Sequence, residues 1–213
     1  TIHSYCQSQG NSAVFEYTSK AYLSFILDVF SIDGDKFAIG RISSSPNTNL
    51  GNSIAVCRID DCDRVIASKE IELPGKKSII ECQLVKDEIF IYAKIQRGVE
   101  YQTLIYTLSK DLKILNFKSF KERNQFQARG FIPHDYRFGF LKYYYDSNRS
   151  IHIVAENYFL KRFPAEDSTI IVISKFDNQL QIKNSRLIEL EERYELRGVR
   201  RNQDKIQVIC KKR

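Results

Sequence analysis

The sequence predicts an all-β, β-propeller-like fold of about four blades, each a four-stranded antiparallel sheet, in a single domain spanning residues 1–213. Three observations predict it. Runs rich in β-branched and aromatic residues alternate with polar turns along the whole chain. Equivalent positions return after 53, 62 and 55 residues, close to the period at which four-stranded blades repeat. Helical periodicity is confined to one short stretch, Glu189 to Tyr194, which reads as a single helical turn.

The clearest element of the repeat is a strand that begins polar and ends in a charge: 36–41, 88–94, 150–156 and 205–211. In each, an apolar and a small residue precede the charge, giving Ile39-Gly40-Arg41, Tyr92-Ala93-Lys94, Val154-Ala155-Glu156 and Ile209-Cys210-Lys211. A tight-turn signal lies just before every one of these strands, at Asp33-Gly34-Asp35, Lys86-Asp87, Asp146-Ser147-Asn148 and Asn202-Gln203-Asp204. Apolar stretches at 22–32, 78–85, 138–145 and 194–199 lead into those turns, so each repeat opens with a hairpin.

Third strands follow at 53–59, 103–108 and 169–176. Polar turns at 60–63, 109–111 and 177–179 then lead to fourth strands at 64–73, 112–120 and 180–190. The repeats therefore run over 22–73, 78–121 and 138–190, with a last one at 194–213 that has two strands. Residues 1–20 contain further strand-like sequence and are expected to complete that last blade; an open stack belonging to a larger propeller is the competing arrangement. The stretch from Lys121 to Arg137, with Gly130 and Pro133, reads as a long connection, and long ordered loops are often functional.

Composition narrows the function classes. With 43% hydrophobic residues the chain carries enough apolar material for a sizeable core. The 33 Lys and Arg against 26 Asp and Glu leave a net +7, spread along the sequence except for a concentration from Arg197 to Arg213. That distribution favours a solvated surface over nucleic-acid binding, which needs a continuous basic stripe. No apolar run approaches the roughly 20 residues of a membrane-spanning helix. At the N-terminus, Ser4 and Cys6 stand three and one before Gln7, as small residues do before a signal-peptide cleavage site; an ordinary first strand is the other reading.

The residues around the third repeat carry a resemblance. The run 150–159, which contains Ala155-Glu156 and an aromatic continuation, is followed by the aliphatic run 168–176, which closes in Lys175-Phe176-Asp177. This resembles repeats of secreted propeller-like proteins common among Bacteroidetes. The likeness is loose in the first two repeats, where Arg41 and Lys94 stand in place of the Glu. It implies an extracytoplasmic location (periplasm, cell surface or secreted) and assigns no activity.

Local catalytic motifs do not survive inspection. Gly75-Lys76-Lys77-Ser78 lacks the first Gly of a phosphate loop, and Gly51-Asn52-Ser53 precedes a strand rather than the helix of a nucleophile elbow. Five scattered Cys and three scattered His give neither a disulfide framework nor zinc-ligand spacing, so no metal or other cofactor is expected. Asp33-Gly34-Asp35 and Asp60 to Asp63 lack the alternating ligands of a calcium loop.

Two clusters remain as candidate binding residues. Arg41, Lys94, Glu156 and Lys211 occupy the same position in successive repeats and would line one face of a ring. Tyr143 and Tyr145, with Arg149 and Tyr158, interleave aromatic faces with a cation, a pattern suited to stacking on a sugar or a peptide. The expected function is a non-enzymatic binding or scaffold module, exported, that recognises a protein or glycan through loops on one propeller face. The alternative is a carbohydrate-active enzyme using Asp35, Asp146 and Glu156, since glycoside hydrolysis needs two facing carboxylates about 5–10 Å apart.

Overall fold

The structure, a computed structural model, describes residues 15–18, 21–43, 53–62, 64–74, 77–97, 100–121, 136–160, 168–203 and 205–212. Every regular element among them is a β-strand. The first sheet holds β1 (Phe15–Thr18), β2 (Ala21–Ile32), β3 (Asp35–Ser43), β4 (Ser53–Ile59) and β5 (Val65–Glu72). The second holds β6 (Lys77–Val85), β7 (Glu88–Arg97), β8 (Glu100–Leu108) and β9 (Ile114–Lys121). The third contains β10 (Tyr136–Asp146), β11 (Ile151–Leu160), β12 (Thr169–Phe176) and β13 (Ile182–Leu190), and the fourth β14 (Tyr194–Asn202) with β15 (Lys205–Lys212).

Strand order follows the chain in all four sheets and none closes on itself. This succession of antiparallel meanders is the predicted all-β, propeller-like class. The chain divides into two compact units, residues 1–97 with 106–117 and residues 98–105 with 118–213; strands β8 and β9 contribute to both.

Burial follows position within the sheet. The third strands β4 and β12 are buried at nearly every residue, because Ile54–Cys57 and Ile170–Ile173 have apolar neighbours on both faces. The fourth strands β5 and β9 instead alternate half-buried and exposed positions, with Ile71 alone fully buried, as strands with one wet face do. In the first unit, Leu23, Ala38, Ala55, Cys57 and Ile59 form one core cluster. A Cβ on Gly40 would stand 2.8 Å from Leu23 Cγ, so the Leu23 side chain of β2 packs directly over this glycine, in space that a larger residue would fill.

The turns show why these residues end strands. Asp33 (φ 51°) and Gly34 (φ 89°) both adopt positive φ between β2 and β3, as a two-residue hairpin of primed type requires. Between the third and fourth strands a second device recurs. Asp60, Ser109 and Asp177 each donate a backbone N–H to the carbonyl four residues on and accept that residue's N–H on a side-chain oxygen. Asp60 and Asp177 also accept an N–H two residues on. Their carboxyls lie below the usual range, chiefly through hydrogen bonds from the Arg64 and Lys183 side chains.

Three expectations need correction or restriction. The described part of the N-terminal segment, β1, pairs with β2 and so extends the first sheet instead of completing the fourth; residues 1–14 lie outside the described residues. Glu189 to Tyr194 is not a helical turn: β13 runs through Leu190, a bend covers residues 191–192, and β14 begins at Tyr194. Most of the expected long connection, residues 122–135, lies outside the described residues, as do 44–52 and 75–76 with Gly51, Gly75 and Lys76.

Candidate functional site

The densest set of buried polar groups sits on β11, in the second unit. Alternation sends Ile153, Ala155 and Asn157 to one face and His152, Val154, Glu156 and Tyr158 to the other. The first face packs on the β14–β15 hairpin through a cluster that joins Ile153, Ala155, Ile171 and Ile173 to Leu196 and Val199. Asn157, on the same face, is fully buried.

A bulge in β10 gives Asn157 its role. The register of β10 on β11 shifts between Phe138 and Leu141, which removes Phe140 from the regular ladder. Its N–H donates instead to Asn157 Oδ1, and Asn157 Nδ2 donates to the Tyr194 carbonyl at 3.0 Å. The Tyr194 N–H in turn donates to Thr169 Oγ1 at 2.8 Å. Both backbone groups of the residue that opens β14 are thus held by side chains of the third sheet. Gly139 leaves room for this, since a Cβ there would meet Phe159 at 2.4 Å and Asn157 Oδ1 at 2.8 Å. The Arg193 guanidinium lies over the Phe159 ring, 4.7 Å from its centroid, beside the same bulge.

At the other end of β10, Asp146 pairs with Arg201 of β14, both side chains being largely buried. Burial opposes ionisation of Asp146, but the Arg201 hydrogen bond and charge, with the N–H groups of Arg149 and Asn148, hold its carboxyl below the usual range. Arg201 Nε also donates to the Gln203 carbonyl in the turn that follows.

On the opposite face of β11, Tyr158 donates its hydroxyl to Glu156 Oε2 at 3.0 Å and meets the Tyr101 ring edge-on, with centroids 6.4 Å apart. Tyr143 shares a 2.7 Å hydrogen bond with His152 Nδ1, and the Tyr145 ring lies 5.0 Å from the same imidazole. Burial, and next the neighbouring Tyr145, push the Tyr143 phenol well above its ordinary range, so it stays protonated.

The predicted binding residues are therefore placed unequally. Tyr158, Glu156, Lys94 and Tyr143 are buried, Arg41 and Tyr145 are half-buried, and Arg149 and Lys211 are exposed. Burial lowers the Arg41 pKa from its ordinary value. Tyr143 and Tyr145 converge on His152, and Glu156 meets Tyr158. Arg149, in the β10–β11 turn, and Lys211, opposite Glu195 near the start of β14, lie at opposite ends of the second unit's sheets. Arg41 and Lys94 belong to the first unit.

The carboxylates of the enzymatic alternative can be placed as well. Glu156 lies opposite Leu141, five residues along β10 from Asp146, and the two project from opposite faces. At about 3.3 Å per residue the separation is about 16 Å, beyond the span that glycoside hydrolysis uses. Asp35, in the first unit, pairs with Arg58 at 3.5 Å. Among the described residues no group of three or more His, Cys, Asp or Glu could hold a metal ion, and no helix is long and apolar enough to cross a membrane.

Asn157, Thr169 and Arg201 were not singled out from sequence. Asn157 had a signal, being the one amide within an aliphatic and aromatic strand. Arg201 had none, since 55 residues separate it from Asp146. No protein-family model and no curated protein matches the chain.

Proposed function

We propose that this chain is a non-enzymatic recognition or scaffold module of an exported protein, which binds a protein or glycan through loops carried on a rigid, propeller-like frame. One observation carries the reading. Two of the three carboxylates best suited to acid–base chemistry are buried and engaged in holding the frame, Asp146 with Arg201 and Glu156 with Tyr158, and the third, Asp35, forms a surface pair with Arg58. A frame fastened in this way presents its turns in fixed positions, which suits recognition and leaves specificity to exposed residues such as Arg149 and Lys211. Export is supported by the likeness of the third repeat to secreted proteins.

The test uses an immobilised panel of neutral glucans, polyuronates and sulfated glycans, alongside an assay for reducing-sugar release from the same polymers. The reading expects retention without release, and weaker retention of Arg149→Ala or Lys211→Ala with unchanged thermal unfolding. Catalytic release of sugar that is lost in Glu156→Gln would overturn it. Fractionation of the source cells checks export, with the chain expected outside the cytoplasm.

A further inference from the structure

We infer that the wet face of β9, built on Phe117 and Leu115 with Tyr106 of β8 and with Lys113 beside it, binds a polyuronate, a sugar chain whose charge is carried by ring carboxylates. The inference rests on the recognition reading and gives it a ligand class and a sheet face in addition to the loops.

The first observation is where apolar surface is left open. Ile114, Leu115 and Phe117 are 43%, 53% and 47% exposed, three large apolar side chains within four residues of one strand. Alternation sets Leu115 and Phe117 on the same face of β9. Tyr106 shares that face, since its ring meets the Phe117 ring with centroids 4.7 Å apart and planes tilted by 31°. Burial raises the Tyr106 pKa, so the phenol stays protonated, and its hydroxyl has no hydrogen-bond partner among the described residues. The residues from Tyr106 to Phe117 all belong to the first unit.

The second observation is size. From Lys113 to Phe117 the chain advances about 13 Å, and two strands span about 10 Å, so the patch covers roughly 130 Å². A stable protein interface takes about 800 Å² on each partner. The patch is too small to seat a protein or a second copy of this chain by itself, and it matches an oligosaccharide laid along the strand. A pyranose ring presents an apolar C–H face, which stacks on an aromatic ring, and hydroxyls at its edge, which the Tyr106 hydroxyl can meet.

The third observation is charge. Lys113, one residue before β9, is exposed and makes no ion pair among the described residues. Lys110, in the same turn, is already engaged by Asp33 at 2.7 Å, so Lys113 is the cation this turn offers to a ligand. Asp111 is the acidic residue of the turn and opposes an anion there. A single cation beside an apolar surface suits a carboxylate held at the edge of a sugar ring, which leaves the ring face bare. Sulfate esters crowd that face and bring more charge than one lysine offsets.

The test titrates the full chain with an oligogalacturonate and with its methyl ester, which keeps the rings and removes the charge, by isothermal titration calorimetry. The expected result is saturable binding of the oligogalacturonate, at least tenfold tighter than the ester and weakened by salt. Lys113→Glu should abolish the preference for the acid, and Asp111→Asn should tighten binding about threefold; both positions are exposed, so folding should be kept. Phe117→Leu should weaken binding at least tenfold with thermal unfolding close to the parent, whereas Phe117→Tyr, which keeps the ring, should bind like the parent. No binding of the oligogalacturonate, equal affinity for acid and ester, or parent-like binding by both Phe117→Leu and Lys113→Glu would overturn the inference. Concentration-dependent self-association that Phe117→Leu abolishes would do so as well. Retention of another glycan or a protein, unchanged in Phe117→Leu and without preference for uronate, would sink the inference while leaving the recognition reading intact. Release of reducing sugar with the Phe117-dependent binding preserved would do the reverse.

Discussion

Asn157 of the third sheet binds the backbone carbonyl of Tyr194, the first residue of the fourth, and with its other amide atom occupies the β10 bulge at Phe140. One buried side chain thus repairs an irregularity in its own sheet and fastens the next. Replacing it with Leu should cost about 2 kcal/mol, because a half-buried N–H and a half-buried C=O lose their partners together. Asn157→Asp keeps the acceptor for Phe140 but turns a carboxylate toward the Tyr194 carbonyl. It should be the worse variant at pH 7 and recover part of the loss in acid, as read by urea unfolding across pH.

The Asp146–Arg201 pair should make stability depend on pH in one direction. Asp146 titrates lower in the folded chain than in the unfolded one, so its contribution is complete above the unfolded pKa of about 4 and fades as pH falls through the folded value. Asp146→Asn should therefore cost about 3 kcal/mol at pH 7 by leaving Arg201 buried without its counter-charge. The difference from the parent chain should shrink steadily below pH 4. A double replacement, Asp146→Leu with Arg201→Met, should be closer to the parent than either single change.

Leu180 tests which of two opposed effects wins. It holds a φ of 58° in the β12–β13 turn, where glycine would relieve about 1 kcal/mol of strain, yet it is fully buried. Loss of a buried leucine costs about 2–5 kcal/mol. Leu180→Gly should accordingly destabilise the chain, and a rise in melting temperature would show that the turn and not the packing dominates.

Thiol reactivity should separate two cysteines only five positions apart. Burial pushes the Cys57 thiol up to about 12, whereas Cys62 is exposed in the β4–β5 turn. A disulfide reagent at neutral pH should modify Cys62 within minutes and Cys57 only when the first unit opens. Peptide mapping after timed quenching reads both sites.

Much of the fold was legible because strands and tight turns write themselves locally. The run Thr169–Phe176 is continuously apolar since both its faces are covered, and Asp33-Gly34 names its own turn type. What was not legible depends on which sheet lies against which. Arg41, Lys94, Glu156 and Lys211 share one sequence pattern, yet their exposure ranges from buried to open, and strand alternation cannot say where a neighbouring sheet ends. The same limit hid the contacts of Asn157 with Tyr194 and of Asp146 with Arg201, across 37 and 55 residues. It also misplaced β1, since a short strand carries no mark of its partner.

The central claim is that buried polar groups fasten the β14–β15 hairpin to the third sheet, and native-state hydrogen exchange tests it most directly. In the parent chain the amides of residues 194–202 should exchange with the same opening free energy as those of β11 and β12, as one cooperative unit. In Asn157→Ala combined with Asp146→Asn, the hairpin should open separately and at lower free energy while β11 and β12 stay protected. A hairpin that already exchanges independently in the parent chain, or that is unaffected by the two substitutions, would contradict the account.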